Sequence, residues 1–320
     1  MQQTPPATRA GGCLPVCTTW PPPPAFTEAD VPAGSQSGRV FIVTGGNAGI
    51  GFELCKILFR SGGTIYMASR SKEKAEVAIK LIEGSIPEST QGRGQLKFLH
   101  LDLNNLDSVR EAVQNFSQQE SKLDILWNNA GAGAYLVKYG QRTAQGFEPF
   151  MGMHCIATLL FSKLLLPQLK AAAAAAAAAA IDHGKGTPRV LWLGSGLIDS
   201  SAPVNGIDFD LLERGIENRV ANYAASKAGC WILGREFARR LLHEPIFGAY
   251  TELYAGLSPD ITMEHNGAYV IPWGRLRQDK AHKRQDIIKA MKSEEEGGLG
   301  FGKKFWEWCE TQGERHQDGN

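Results

Sequence analysis

Residues 39–51 read RVFIVTGGNAGIG, and this stretch decides the fold. Val40–Val43 is a run of apolar, mostly β-branched residues that predicts a buried strand, and the glycines after Thr44 predict a tight turn. The following FELCKILFR (52–60) has the apolar spacing of a helix packed on one face. Backbone without Cβ in such a turn can approach a pyrophosphate closely, and the free N–H groups of the helix start complement its charge. Thr44, Gly45, Asn47, Gly49, Ile50 and Gly51 are therefore candidate dinucleotide-binding residues. A plain strand–helix connection is the alternative reading of the glycines, and the flanking strand and helix weigh against it.

Working outward, the strand–helix alternation repeats. TIYMAS (64–69), LKFLHLD (96–102), LDILWNNAG (123–131) and RVLWLGS (189–195) read as strands, and 50–61, 72–83, 107–120 and 146–170 as helices. This spacing predicts an α/β fold, a Rossmann-type doubly wound parallel sheet in one domain covering 38–310. Residues 1–37 are rich in Pro and small polar residues and read as a disordered arm; 311–320 reads as a flexible tail. Ala171–Ala180 is an unbroken alanine run, and 171–186 reads as a low-complexity insertion that extends the preceding helix. The segment GFGKKFWEWCETQ near the C-terminus carries aromatic residues at helical spacing and is expected to dock back onto the domain.

Composition narrows the partners. A net charge of +1 gives no electrostatic case for nucleic acid or an anionic membrane. The six cysteines (13, 17, 55, 155, 230, 309) show no convincing zinc spacing and read as reduced thiols of a cytoplasmic protein. The most apolar stretch, 155–181, is interrupted by Ser162, Lys163, Pro167, Gln168 and Lys170, so no transmembrane span is expected. No signal peptide is expected either, because the first twenty-five residues lack a continuous apolar core.

The end of the second strand separates two cofactors. NAD sites place an acid there to hold the adenosine 2′-hydroxyl. Here the residues are Ala68-Ser69-Arg70-Ser71-Lys72, without an acid. Arg70 can grip a 2′-phosphate bidentately and Ser69 can donate to it, so NADP(H) is expected in preference to NAD(H). Solvation of a loop by Arg70 and Lys72 is the competing explanation.

With TGxxxGIG (44–51), LDL (101–103), NNAG (128–131) and Tyr223-Ala-Ala-Ser-Lys227 in this order, the chain resembles the short-chain dehydrogenase/reductase family. It is most similar to the branch of retinol dehydrogenases and WW-domain oxidoreductases. The resemblance covers about 38–240 and resumes at about 248–310. It implies that Asp102 contacts the adenine with Leu103 beside it, and that Asn128, Ala130 and Gly131 line the adenosine side of the cleft. It further implies that Tyr223 exchanges the proton with the substrate oxygen, that Lys227 supports Tyr223 and holds the nicotinamide ribose, and that Ser195 steadies the substrate. Tyr223 and Lys227 are four residues apart, on one face of a helix, where an ammonium favours the phenolate form of a tyrosine. The substrate implied is a lipophilic carbonyl or alcohol, and the assembly implied is a dimer or tetramer.

Two departures from the family pattern stand out. His154 takes the place of an asparagine that holds a water in the proton path, and a histidine can also bond water or relay a proton. After Arg240 the family's sixth strand and its Pro-Gly loop have no counterpart. About thirty residues are expected to be absent, and a last strand is expected in 267–273. A sheet without that strand must close up or leave backbone groups uncovered, and the nicotinamide loses a wall. A second reading is therefore a catalytically impaired NADP(H)-binding protein or a truncated gene model, in which adenosine and pyrophosphate binding survives better than turnover.

Overall fold

The structure, a computed structural model, describes residues 23–87, 89–178, 188–241, 258–265, 267–271 and 275–314. Strands β1 (Val40–Thr44), β2 (Thr64–Ser69), β3 (Gln95–His100), β4 (Ile125–Asn128) and β5 (Arg189–Trp192) form one sheet of order β3-β2-β1-β4-β5, every pair parallel. All five residues of β1 are buried because helices cover both faces of the sheet. Ile42 faces one core with Tyr66, Leu126 and Val190, while Phe41 and Val43 face the other with Leu54, Leu58 and Ala78. Each such fully buried large side chain contributes about 1.5–3 kcal/mol of burial free energy.

The helices are α1 (Gly49–Arg60), α2 (Lys72–Ser85), α3 (Leu106–Ser117) and α4 (Pro149–Met151), then α5 (Thr158–Leu164), α6 (Leu166–Ala178) and α7 (Leu197–Ser201). α8 (Arg219–Leu241), α9 (Gln285–Met291) and α10 (Phe301–Glu314) complete the set. Between α4 and α5 the chain makes a π-helical turn, Gly152–Ala157, so the expected helix 146–170 is interrupted rather than continuous. Because the chain leaves β1 for β2 on one side and reaches β4 on the other, the carboxyl ends of β1 and β4 form the crevice where ligands bind in such sheets.

At the edges the described residues run into the arm, the alanine run and the tail. The chain is already placed from Thr27, where a capping box opens a short 3-10 turn, Glu28–Asp30. Val31 is buried and Gln36 N donates to Ser61 O at 2.8 Å. Residues 1–22 of the expected arm lie outside the described residues. α6 absorbs Ala171–Ala178, so that part of the alanine run is helix, and 179–186 lie outside the description. α10 carries the first residues of the expected tail and docks through Phe305, Trp306 and Cys309, all buried; 315–320 lie outside.

Among the described residues the parallel sheet ends at β5. The expected last strand exists as β6 (Tyr269–Ile271) but pairs antiparallel with β7 (Arg275–Arg277) in a separate hairpin. Ile261, Ala268 and Leu276 pack into the core that holds Trp127 and Leu191, and Arg189 Nη2 donates to Ser258 O at 3.4 Å. The chain after α8 thus covers apolar surface beside β5 without extending the ladder; 242–257 lie outside the described residues. No single described helix is long and apolar enough to cross a membrane.

Candidate active site

The turn after β1 has the shape that the glycines predict. Gly45 has φ +69°, and a Cβ there would lie 3.0 Å from Ala130 Cα; at Gly51 a Cβ would lie 2.5 Å from Gly45 O. Larger residues at either position would push the turn open. At Gly49 a Cβ would meet nothing within 4 Å, so space lies open before the first turn of α1. That helix begins after Ala48, which supplies no side-chain cap, whereas Ser71 caps α2 and Asn105 caps α3. The first N–H groups of α1 are thereby left for an anion, and no acid stands in its first turn.

A cleft of about 980 Å³ runs along the carboxyl ends of the strands. Ser69 at the end of β2 with Arg70 after it, Gly45, Asn47, Gly49 and Ile50 after β1, Ala130 and Gly131 after β4, and Leu193 after β5 line it in the order of the sheet. Arg70 is exposed and makes no ion pair among the described residues. Asp102 and Leu103 also line the cleft; Asp102 Oδ1 accepts from Asn104 N at 3.0 Å.

Tyr223 and Lys227 close the other end. Lys227 Nζ lies 5.8 Å from the centroid of the Tyr223 ring and donates to Leu193 O at 2.9 Å. Behind them, His154 is wholly buried in the π-helical turn, its ring 5.9 Å from that of Tyr223 and 5.6 Å from that of Phe150. Ser226 Oγ donates to Tyr223 O at 2.7 Å, which leaves it to accept from His154 Nδ1 at 2.8 Å. His154 is therefore the Nδ1–H tautomer, and its Nε2 has no hydrogen-bond partner. Burial first, and the Lys227 charge second, hold its pKa well below the usual range, so the ring stays neutral. A Cβ on Gly131 would lie 3.0 Å from His154 Nε2 and 3.4 Å from Lys227 Nζ, so both nitrogens converge behind that glycine. The start of α8 is held by Glu148, whose Oε1 accepts from Asn222 Nδ2 at 2.9 Å and whose Oε2 accepts from Met151 N at 2.8 Å.

Four of the expected site residues, Asn128, Thr44, Ser195 and Gly51, lie outside the cleft lining. Asn128 does not line the cleft: its Nδ2 donates to Ser162 Oγ at 3.0 Å in the core, and Asn129 takes the cleft position, donating to Thr44 O at 2.8 Å. Thr44 is buried and joins β1 to β4, accepting from Ala130 N at 2.8 Å and donating to Trp127 O at 3.2 Å. Ser195 lies outside the cleft lining; its Oγ accepts from Leu197 N at 3.2 Å and starts α7. Gly51 shapes the turn without lining the cleft.

Comparison with known proteins agrees with this geometry. The family described as short chain dehydrogenase matches residues 39–181. The short-chain dehydrogenase/reductase iacJ of Pestalotiopsis fici is 41% identical over 332 aligned positions, covering 93% of this chain and 96% of the relative. The chain belongs to the short-chain dehydrogenase/reductase family of oxidoreductases. The fold is shared with a solved, uncharacterised protein from Mycobacterium paratuberculosis, TM-score 0.60 at 23% identity, over 90% of this chain and 97% of that one. An NADH-dependent reductase A1-R′ complexed with NAD has TM-score 0.50 at 20% identity, over 70% of this chain and 78% of that one.

The alignment with iacJ carries one further fact. Since 93% of 320 residues is about 298, about 34 of the 332 positions hold a residue in the relative and none here. Relative to iacJ, this chain is shorter internally by about 34 residues.

Proposed function

We propose that the chain is an NADP(H)-dependent oxidoreductase interconverting a carbonyl and an alcohol, with Tyr223 as acid and base. The observation that carries this reading is the cleft itself, with Tyr223 and Lys227 at one end and Ser69 and Arg70 at the other. The open space at Gly49 and the uncapped start of α1 fit a pyrophosphate, and the unpaired Arg70 fits a 2′-phosphate. When bound, the nicotinamide ring supplies or accepts the hydride. Tyr223 gives the proton to the substrate oxygen or takes it back, and Lys227 places positive charge beside that phenol. His154 Nε2 accepts a hydrogen bond from a water behind Gly131, which supports proton return to Tyr223. Ser195 steadies the substrate oxygen once its hydroxyl turns from the start of α7. The apolar Leu136, Val137 and Met153 on the cleft wall favour a lipophilic substrate. Buried, unbridged Cys55, Cys155, Cys230 and Cys309 favour a cytoplasmic setting, and a homo-oligomer is part of this reading by family analogy.

Titrating NADPH and NADH by fluorescence, then following carbonyl reduction over a substrate panel, tests the reading. Tighter binding of NADPH and turnover lost in Tyr223→Phe are expected. A chain that binds neither dinucleotide would sink it.

A second reading, an NADP(H)-binding protein with impaired turnover, is favoured by the internal shortening and by Ser195 lying outside the cleft lining. Binding without turnover supports it; turnover in the family's ordinary range removes it. Sequencing the transcript across codons 236–250 tests whether the shortening is genuine, and an intervening strand found there returns the enzyme reading.

A further inference from the structure

The reading above gives no role to the aromatic cluster that the β6–β7 hairpin builds against α8. Tyr269, Trp231 and His282 meet ring to ring, with centroids 4.6 Å apart for Tyr269–Trp231, 4.6 Å for Trp231–His282 and 5.1 Å for Tyr269–His282. Trp231 lies one helical turn beyond Lys227, which lies one turn beyond Tyr223, so the three share a face of α8. Two ion pairs anchor the surroundings: Arg277 to Asp199 at 2.9 Å, and Arg235 Nη1 to both carboxylate oxygens of Asp279 at 2.9 and 2.8 Å.

Tyr269 does not line the cleft itself but stands against Gly194, one residue beyond the lining. A Cβ on Gly194 would lie 3.4 Å from Tyr269 Cε2 and 3.7 Å from Tyr269 Oη, and Gly194 directly follows Leu193, which lines the cleft beside Tyr223 and Lys227. The hydroxyl of Tyr269 makes no hydrogen bond among the described residues. Burial, then the Asp199 charge, push its pKa up to about 12, so it remains a neutral donor at any working pH. The cleft lining runs β2, β1, β4, β5, so a dinucleotide whose adenosine sits at Arg70 ends its second ring at β5. Among the described residues, Tyr269 is what stands beyond that strand's end.

We propose that Tyr269 is a nicotinamide-end residue, its phenol closing the flank of the cleft beyond Gly194 and its hydroxyl donating to the carboxamide of the bound dinucleotide. The hairpin thereby supplies the wall that the absent segment would have formed. This rests on the cofactor reading above.

Calorimetric titration of the full chain with NADPH and with 2′-phospho-ADP-ribose, which lacks the nicotinamide, separates the two claims. Tyr269→Ala is expected to weaken NADPH about tenfold while leaving 2′-phospho-ADP-ribose within about twofold. Tyr269→Phe, which keeps the ring, is expected to weaken NADPH alone by about threefold. If Tyr269→Ala binds neither ligand it has lost the fold, and Tyr269→Phe decides. Equal loss for both ligands in Tyr269→Phe, or no loss for either, overturns the proposal while the cofactor reading stands. A wild-type chain that binds neither ligand overturns both.

Discussion

Lys227 Nζ donates to the carbonyl oxygen of Leu193 at 2.9 Å, which ties the helix carrying Tyr223 to the end of β5. The same ammonium stands over the Tyr223 ring, so one buried side chain serves both the fold and the proposed chemistry. Substitutions at the two positions should therefore separate. Tyr223→Phe is expected to lower kcat by about 10²–10⁴-fold, with NADPH affinity unchanged. Lys227→Met is expected to lose turnover and also to destabilise the fold by about 1–3 kcal/mol, because Leu193 O is left unpaired. Steady-state kinetics and urea unfolding of both variants check this; equal stabilities would remove the structural half.

Arg70 is expected to set the preference for the 2′-phosphate. A charge-assisted hydrogen bond contributes about 1.5–3 kcal/mol, so Arg70→Ala should weaken NADPH by about 10–100-fold while changing NADH little. Competitive titration of both dinucleotides measures the ratio. An unchanged ratio would assign Arg70 to the solvated loop.

His282 has a pKa lowered to about 4, by burial first and then by Arg277, against about 6.5 in an unfolded chain. The folded state therefore resists a proton that the unfolded state accepts. Stability from this group is complete above about pH 6.5 and is lost as pH falls toward about 4, with a slope of at most about 1.4 kcal/mol per pH unit. His154 acts in the same direction. Urea midpoints at pH 7.5 and 4.5 should fall less in His282→Phe than in the parent chain; parallel falls would count against this assignment.

Glu148 holds two separate donors, Asn222 Nδ2 and Met151 N, in a buried site that raises its own pKa, mainly through desolvation. Glu148→Ala is expected to cost about 2–4 kcal/mol in unfolding free energy, since both donors lose their acceptor. It should also lower kcat, because Asn222 immediately precedes Tyr223. Glu148→Gln keeps an acceptor oxygen and should recover part of both. Chemical denaturation and kinetics on the pair decide it, and a silent Glu148→Ala would refute the account.

The parallel sheet and the glycine turn were legible because each depends on local pattern. TIYMAS is apolar through its centre and lies between turn residues, and β2 occupies those six residues. Asn128 and Asn129 show where pattern alone stops. Both belong to the same motif, and which of them faces the cleft depends on how β4 meets the helix that carries Ser162. The β6–β7 hairpin and the interruption at Gly152–Ala157 arise from packing against α8, which no short window of residues records.

The wide turn at Gly152–Ala157 has an evolutionary consequence. A π-helical turn is equivalent to an α-helix that has taken in one residue, and each residue of an α-helix turns the chain by about 100°. Loss of one codon here would restore regular winding and swing one side of the helix relative to the other by that angle. His154 would then leave Ser226 and Gly131, and Phe150 would leave Tyr223. The neighbourhood of Tyr223 thus hangs on reading frame length at a single triplet.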